Sequence, residues 1–349
     1  MKIKFMTKRL MSILLAAAMV LSLAACSNNS GNNSKESGTD KGNTQESGTE
    51  YTAKDIKVAA LKGPTAIGMV KLMDGAQNGK TANNYEFKIA AAADEFTSSL
   101  IKGDIQLAAM PCNAAATLYN KSSGKIKVIG INTLGVLYIL DTGNAVQSVA
   151  DLRGKTVYLT GKGTTPEYTL RYLLKKSGLD PDKDVKLEFK SEAAEVAAIM
   201  AKSDENVIAM LPQPYVTTVM MNNSKVRIAL DVTKEWEKLA GSESTVVTGV
   251  IVVNADYYNN NKAAVDKFME EYKASVEYVA GNVDDAANLV EKFDIFKAAV
   301  AKKAIPYCNI TYVTGNDMKT KVENYLKVLY DENPASVGGA MPDSSFYGL

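Results

Sequence analysis

Histidine is absent from all 349 residues. Its absence removes the commonest general base, the commonest metal ligand and every Ser–His or Cys–His nucleophile pair. Lysine and carboxylates remain for catalysis, so an enzyme is disfavoured but not excluded. Cysteine is scarce as well. The three present, Cys26, Cys112 and Cys308, show no spacing that resembles a zinc site. Neither sign of charge is in excess, with 40 basic and 39 acidic side chains. No basic surplus exists to hold nucleic acid. Past the first 25 residues, no apolar run is long enough to cross a membrane.

What is present begins at the N-terminus. Lys2, Lys4, Lys8 and Arg9 precede the apolar run Leu10 to Ala25, which ends Leu23-Ala24-Ala25-Cys26. Basic start, apolar core and small residues before a cleavage point describe an export signal. A cysteine directly after the small pair is the bacterial lipobox pattern. The expectation is cleavage before Cys26 and a lipid on its thiol. With those four basic residues removed, 40 basic side chains become 36 against 39 acidic, net −3. Ser27 to Glu50 carries no apolar side chain and reads as a disordered tether. As a flexible coil it spans roughly 25–30 Å. The expected organisation is therefore a signal over 1–25, a lipidated cysteine and tether over 26–50, and a folded body from Tyr51.

The body is about 300 residues, more than one core usually serves, and two lobes are expected. Short apolar runs alternate with helical patterns, the signature of an α/β fold. The pattern runs from Lys57 to Leu140 and restarts at Thr156, with matching plan in each half. After Val253 only helices are expected. The economical layout gives 51–141 plus 247–349 to the first lobe and 142–246 to the second, with chain crossings near Leu140 and Thr248. Two crossings make a hinge, and a hinge between α/β lobes makes a cleft that can close.

In an open α/β sheet, ligands sit beyond the carboxyl ends of strands, at helix N-termini. Four turns meet that description. Lys62, Gly63, Pro64 and Thr65 form the first; Pro111 and Asn113 belong to the second. Gly163, Thr164 and Thr165 belong to the third, where Pro166 suits a first helical turn. Gln213 and Pro214 belong to the fourth. Tyr138 is a candidate for stacking on a ligand, as is Tyr215. These groups are mostly hydroxyls, amides and backbone N–H, with Lys62 and Lys162 the cations. Such a set favours a small polar or weakly anionic solute over a multiply charged one. Gly75 to Thr81 mimics a phosphate loop but misses its spacing by one residue and follows a helix. Trp236 reads as packing. Cys112 and Cys308 read as two buried thiols, with a disulfide as the alternative.

Three segments carry a family likeness. They are Lys57-Val58-Ala59-Ala60-Leu61 with Gly63-Pro64; Asp151-Leu152-Arg153-Gly154-Lys155 through Gly163-Thr164-Thr165-Pro166; and Asn333-Pro334 through Phe346-Tyr347. Together they resemble the solute-binding proteins of ABC importers, in the group with aliphatic-sulfonate, taurine, nitrate and thiamine-precursor binders. The resemblance implies a type II periplasmic-binding fold, no cofactor, and a monomer that closes on a small solute. It also implies delivery to a membrane permease driven by a separate ATPase subunit. A lipid anchor on the outer face of the cytoplasmic membrane suits such a receptor. The rival readings are a lyase-like enzyme on the same fold and a surface sensor or adhesin. Cys26→Ser should release the protein from the membrane or leave it unprocessed; metabolic labelling with radioactive palmitate checks this, and label persisting in the variant refutes lipidation at Cys26.

Overall fold

The computed structural model describes residues 51–203, 206–241 and 244–349. The signal, Cys26 and the tether lie outside the described residues. The first half runs β1 (Asp55–Leu61), α1 (Pro64–Ile67), α2 (Val70–Gln77), β2 (Asn84–Ala90), α3 (Asp94–Lys102), β3 (Leu107–Pro111), α4 (Cys112–Lys121) and β4 (Ile126–Thr133). The second runs β5 (Leu137–Asp141), β6 (Thr156–Leu159), α5 (Thr165–Lys176), β7 (Lys186–Phe189), α6 (Ala193–Lys202), β8 (Ile208–Pro212), α7 (Tyr215–Asn222), β9 (Arg227–Asp231) and α8 (Val232–Ala240). The chain then returns through β10 (Gly249–Asn254), α9 (Ala255–Asn260), α10 (Lys262–Gly281), α11 (Val283–Lys292), α12 (Ala298–Ala304), β11 (Ile310–Val313) and α13 (Gly315–Glu332).

Two mixed sheets result. Their orders are β11-β4-β10-β3-β1-β2 and β7-β6-β8-β5-β9. In the first, β1 pairs in parallel with β2 and β3, and β10 lies antiparallel between β3 and β4. In the second, β6 pairs in parallel with β7 and β8, and β5 lies antiparallel between β8 and β9. The sheets are thus built to one plan, each with an antiparallel strand supplied directly from the other side. This is the two-lobed type II periplasmic-binding fold.

Two sequence expectations need correction. The apolar run Leu134 to Leu140 is not a continuation of the first half. Leu137–Asp141 pairs with β8 and β9, so this stretch joins the second sheet and the first crossing lies at 134–136. Gly135 is the reason for the break: a Cβ there would collide with Thr233 of α8, so only glycine lets the chain pass. After β10 the chain is also not purely helical. Ile310–Val313 adds β11 to the edge of the first sheet, antiparallel to β4. Four residues are too few to show a period.

Helices cover both sheets. On the outer face of the first, Ile56, Val58 and Ile251 pack with α1, α2 and α10 through α12. On the outer face of the second, Leu140, Ala209 and Leu211 pack with α6 and α7. The remaining core is shared. It runs from Ala108 and Val128 of the first sheet to Val157 and Met210 of the second, through α4, α5, α8 and α13. At its centre Trp236 stacks obliquely on Tyr172 and Tyr325, with ring centroids 4.5 and 5.2 Å apart. Trp236 donates to Ser244 Oγ at 3.1 Å, and the Tyr325 and Thr169 hydroxyls are 2.8 Å apart. Beyond α13, the chain straps across α4 and β4. Asn120 donates to Val337 and Ala340 carbonyls, and Tyr119 to Asp343. Among the described residues no helix is long and apolar enough to cross a membrane.

Trp236 is fully buried. Trp236→Ala should cost about 3–5 kcal/mol of unfolding free energy, the usual range for deleting a buried aromatic. Urea unfolding followed by circular dichroism measures it, and a loss below about 1 kcal/mol would show that this cluster does not join the two halves.

Candidate functional site: a cleft between the sheets

Both antiparallel strands begin where parallel strands end. Leu137 at the start of β5 pairs with Pro212 at the end of β8. Gly249 at the start of β10 pairs with Pro111 and Thr133, at the ends of β3 and β4. Both crossings therefore pass the carboxyl edges of the sheets, where α/β proteins gather their ligand loops. A cavity of about 250 Å³ lies there, slightly below the roughly 300–1,000 Å³ usual for ligand pockets.

Turns after six strands wall this cavity. Leu61, Lys62, Gly63, Pro64 and Thr65 follow β1; Ala91, Ala92 and Ala93 follow β2; Pro111 ends β3. From the second sheet come Thr160, Gly161, Thr164, Thr165 and Pro166 after β6, Ser191, Glu192 and Ala193 after β7, and Pro212 with Tyr215 around the end of β8. The crossings add Thr133, Val136, Leu137 and Thr248. Alanine, proline, leucine and valine side chains make much of this surface apolar. Among the described wall residues the two charges are Lys62 and Glu192, of opposite sign and both exposed.

Eight of the sequence candidates line the cavity: Lys62, Gly63, Pro64, Thr65, Pro111, Thr164, Thr165 and Tyr215. Five do not. Tyr138 and Gln213 each neighbour a wall residue, Leu137 and Pro212, but successive strand side chains face opposite ways. They line a separate groove with Met220, Met221, Ile228 and Tyr307. Burial, and next the charge of Asp231, pushes the Tyr138 phenol up to about 12. The Gln213 carbonyl oxygen accepts from both the Thr217 N–H and hydroxyl. Pro214 precedes α7 and is not part of the wall. Asn113 is completely buried and fully engaged. It donates to Ser336 O at 2.9 Å and Gly163 O at 3.3 Å, and accepts from the Thr165 hydroxyl at 3.2 Å. It ties the first sheet's α4 to the second sheet's loop and the C-terminal strap.

Gly163 stands outside the cavity and serves the loop's shape. Gly161 and Gly163 both have φ of +75°, where side chains are disfavoured. Thr164 does not cap α5 with its side chain; its hydroxyl donates to Gly161 O at 2.8 Å. Glu167 turns back to accept from Gly163 N–H at 2.7 Å and pairs with Arg171 at 2.7 Å. Its charge is thus spent inside the loop and does not face the cavity. Lys162 places its ammonium over the Phe189 ring and is not part of the cavity wall.

The sequence passed over the turns at Ala91–Ala93 and Ser191–Ala193, which lack the glycine and proline punctuation of the other four. Tyr215, the other stacking candidate, lines the cavity while its ring packs edge-on against Phe296 at 4.9 Å. Burial, then the Glu192 charge, holds its phenol above the ordinary range.

The fold is that of the periplasmic binding proteins of ABC transporters. Residues 125–286 match the family model described as NMT1/THI5 like. Among solved structures, an ABC transporter protein from Parabacteroides distasonis is 25% identical, with a TM-score of 0.69 over 84% of this chain and 98% of that one. The aliphatic sulphonate binding protein SsuA from Escherichia coli is 15% identical, with a TM-score of 0.65 over 84% and 93%. The nitrate-binding protein NrtA from Synechocystis PCC 6803 is 14% identical, with a TM-score of 0.56 over 76% and 74%. No curated protein matches the sequence significantly.

Cys112 and Cys308 are free thiols, both fully buried and in different parts of the core. Burial pushes both well above the ordinary thiol range. Cys112 opens α4 beside the cavity wall, yet it is no nucleophile, because the thiolate would be desolvated. In the Cys26→Ser chain at pH 8, neither should react with Ellman's reagent within minutes, and both should react after unfolding in guanidinium. Fast native labelling of one thiol would contradict this burial.

Proposed function

We propose that this chain is the extracytoplasmic solute-binding component of an ABC importer. It captures a small organic solute between its two sheets and hands it to a permease powered by a separate ATPase. One observation carries the reading: turns from both sheets converge on a single cavity, so a solute there touches both at once. The likenesses to ABC-transporter binding proteins, including sulfonate and nitrate binders, support it, and they point to binding proteins rather than enzymes. The lipid on Cys26 and the tether keep the receptor beside its permease, and the receptor acts as a monomer.

The two sheets with their helices act as the two lobes. The crossings at 134–136 and 245–248 are the hinge. A solute that contacts both walls favours the closed arrangement by the difference in its affinity for the two forms. The apolar wall selects an organic body. The hydroxyls of Thr65, Thr164 and Thr165 already serve Leu61 O, Gly161 O and Asn113, so they shape the wall more than they bind solute.

A thermal-shift screen of the Cys26→Ser chain against a metabolite panel identifies the solute. A true ligand at 100 times its dissociation constant adds about 2.7 kcal/mol of stability. Small-angle scattering with that ligand should then show a smaller radius of gyration and leave the ligand chemically intact. Recovery of a converted product would favour the lyase-like reading instead.

A further inference from the structure

At the floor of the cleft, buried polar atoms lack any partner within the protein. They are the Thr133 hydroxyl, the Thr248 hydroxyl and both ends of the Asn132 amide. Asn132 and Thr133 are completely buried. Leaving such groups unpaired is costly, and native proteins rarely keep several together. Here they are neighbours. Thr248 N–H donates to Thr133 O at 3.1 Å, which closes the two crossing strands against each other. Gly249, the next residue, makes room for the amide. A Cβ on it would lie 2.5 Å from Asn132 Oδ1, 3.1 Å from Thr65 Cγ2 and 3.3 Å from Thr133 Cβ. Thr65, Thr133 and Thr248 all line the cavity. Thr133 and Thr248 thus bring the cluster to the floor of the cleft, its polar atoms covered just beneath a wall that is otherwise largely apolar.

We infer that Thr133 and Thr248, backed by Asn132, are the anchoring point for the polar head of the solute. The inference rests on the cleft being the solute site. Its chemistry narrows the solute. Hydroxyls and an amide both donate and accept, and they carry no charge. A buried ionic head would need a counter-charge, and the two charged wall residues are exposed and opposite in sign. The head is thus neutral and both donates and accepts hydrogen bonds, as a carboxamide or an alcohol does. The body is short and apolar. Of the small polar or weakly anionic solutes expected from the sequence, this keeps the polar class and sets aside the anionic one.

Four five-carbon probes test the inference by calorimetric titration of the full Cys26→Ser chain: valeramide, 1-pentanol, valerate and pentylamine. Valeramide or pentanol should bind at least about ten-fold more tightly than valerate and pentylamine. Thr133→Val and Thr248→Val should each weaken valeramide binding about five-fold or more, the worth of one hydrogen bond. Each should also leave the melting temperature of the ligand-free protein unchanged or raised, because an unpaired buried hydroxyl is removed without a change in volume. Thr133→Ser should retain binding. Ala92→Trp, which fills the cleft from the turn after β2, should abolish it. If Ala92→Trp abolishes binding while both valine variants bind normally, the cleft reading stands and the anchor is refuted. If even Ala92→Trp binds normally, the cleft reading falls too. Tighter binding of either charged probe, or binding of none, overturns the solute class. A fall of several degrees in the melting temperature of both valine variants would show that the hydroxyls serve the fold, and would also overturn the anchor.

Discussion

The structure depends on an exchange of strands. Each sheet takes its antiparallel strand from the chain that has just left the other: β5 enters between β8 and β9, and β10 between β3 and β4. All six residues of β10 are buried. A strand with neighbours on both edges and helices on both faces cannot leave without unpairing two ladders. The sheets are therefore committed to each other, and the two connections between them must lie at the carboxyl edges. The cleft and its floor are one consequence of that pairing.

This arrangement explains why one end of the molecule collects the turns that wall the cavity. Parallel strands place all their following turns at one edge, so β1, β2, β3 and β6, β7, β8 contribute six turns to one cavity. An antiparallel strand delivers its first residue to the same edge. Thr248, just before β10, reaches the cleft for that reason, although it follows no parallel strand.

Much of this was legible in the sequence. Strand runs such as Lys57 to Leu61 and Val246 to Val253 are β-branched or small and apolar, and the structure places β1 and β10 within two or three residues of them. Turns marked by glycine or proline were legible, and parts of all four line the cavity. The alternation of strand faces, applied one residue at a time, separates Leu137 from Tyr138 and Pro212 from Gln213, which turn chemistry alone does not. Other features leave no local trace. The break at Gly135 depends on Thr233, nearly 100 residues away. Asn113 looks like a turn amide, and only its buried contacts with Gly163 and Ser336 show it to be a brace. Thr133 and Thr248 sit beside β-branched runs where threonine is unremarkable as a strand former. Their distinction is the lack of a partner, which only a three-dimensional inventory of donors and acceptors exposes.

The aromatic cluster around Trp236 has a bearing on how the chain acquires its shape. Thr169 meets Tyr325 across 156 positions, and Tyr325 belongs to α13, near the end of the sequence. The shared core cannot close until that helix exists. A chain made from its N-terminus has every strand of both sheets before it has α13, so the Trp236 and Tyr172 rings stay uncovered on that side until almost all of it has been synthesised. Contacts so distant in sequence form slowly. A growing chain of this design stays unlocked late, and one that must pass through a narrow export channel before folding gains from the delay.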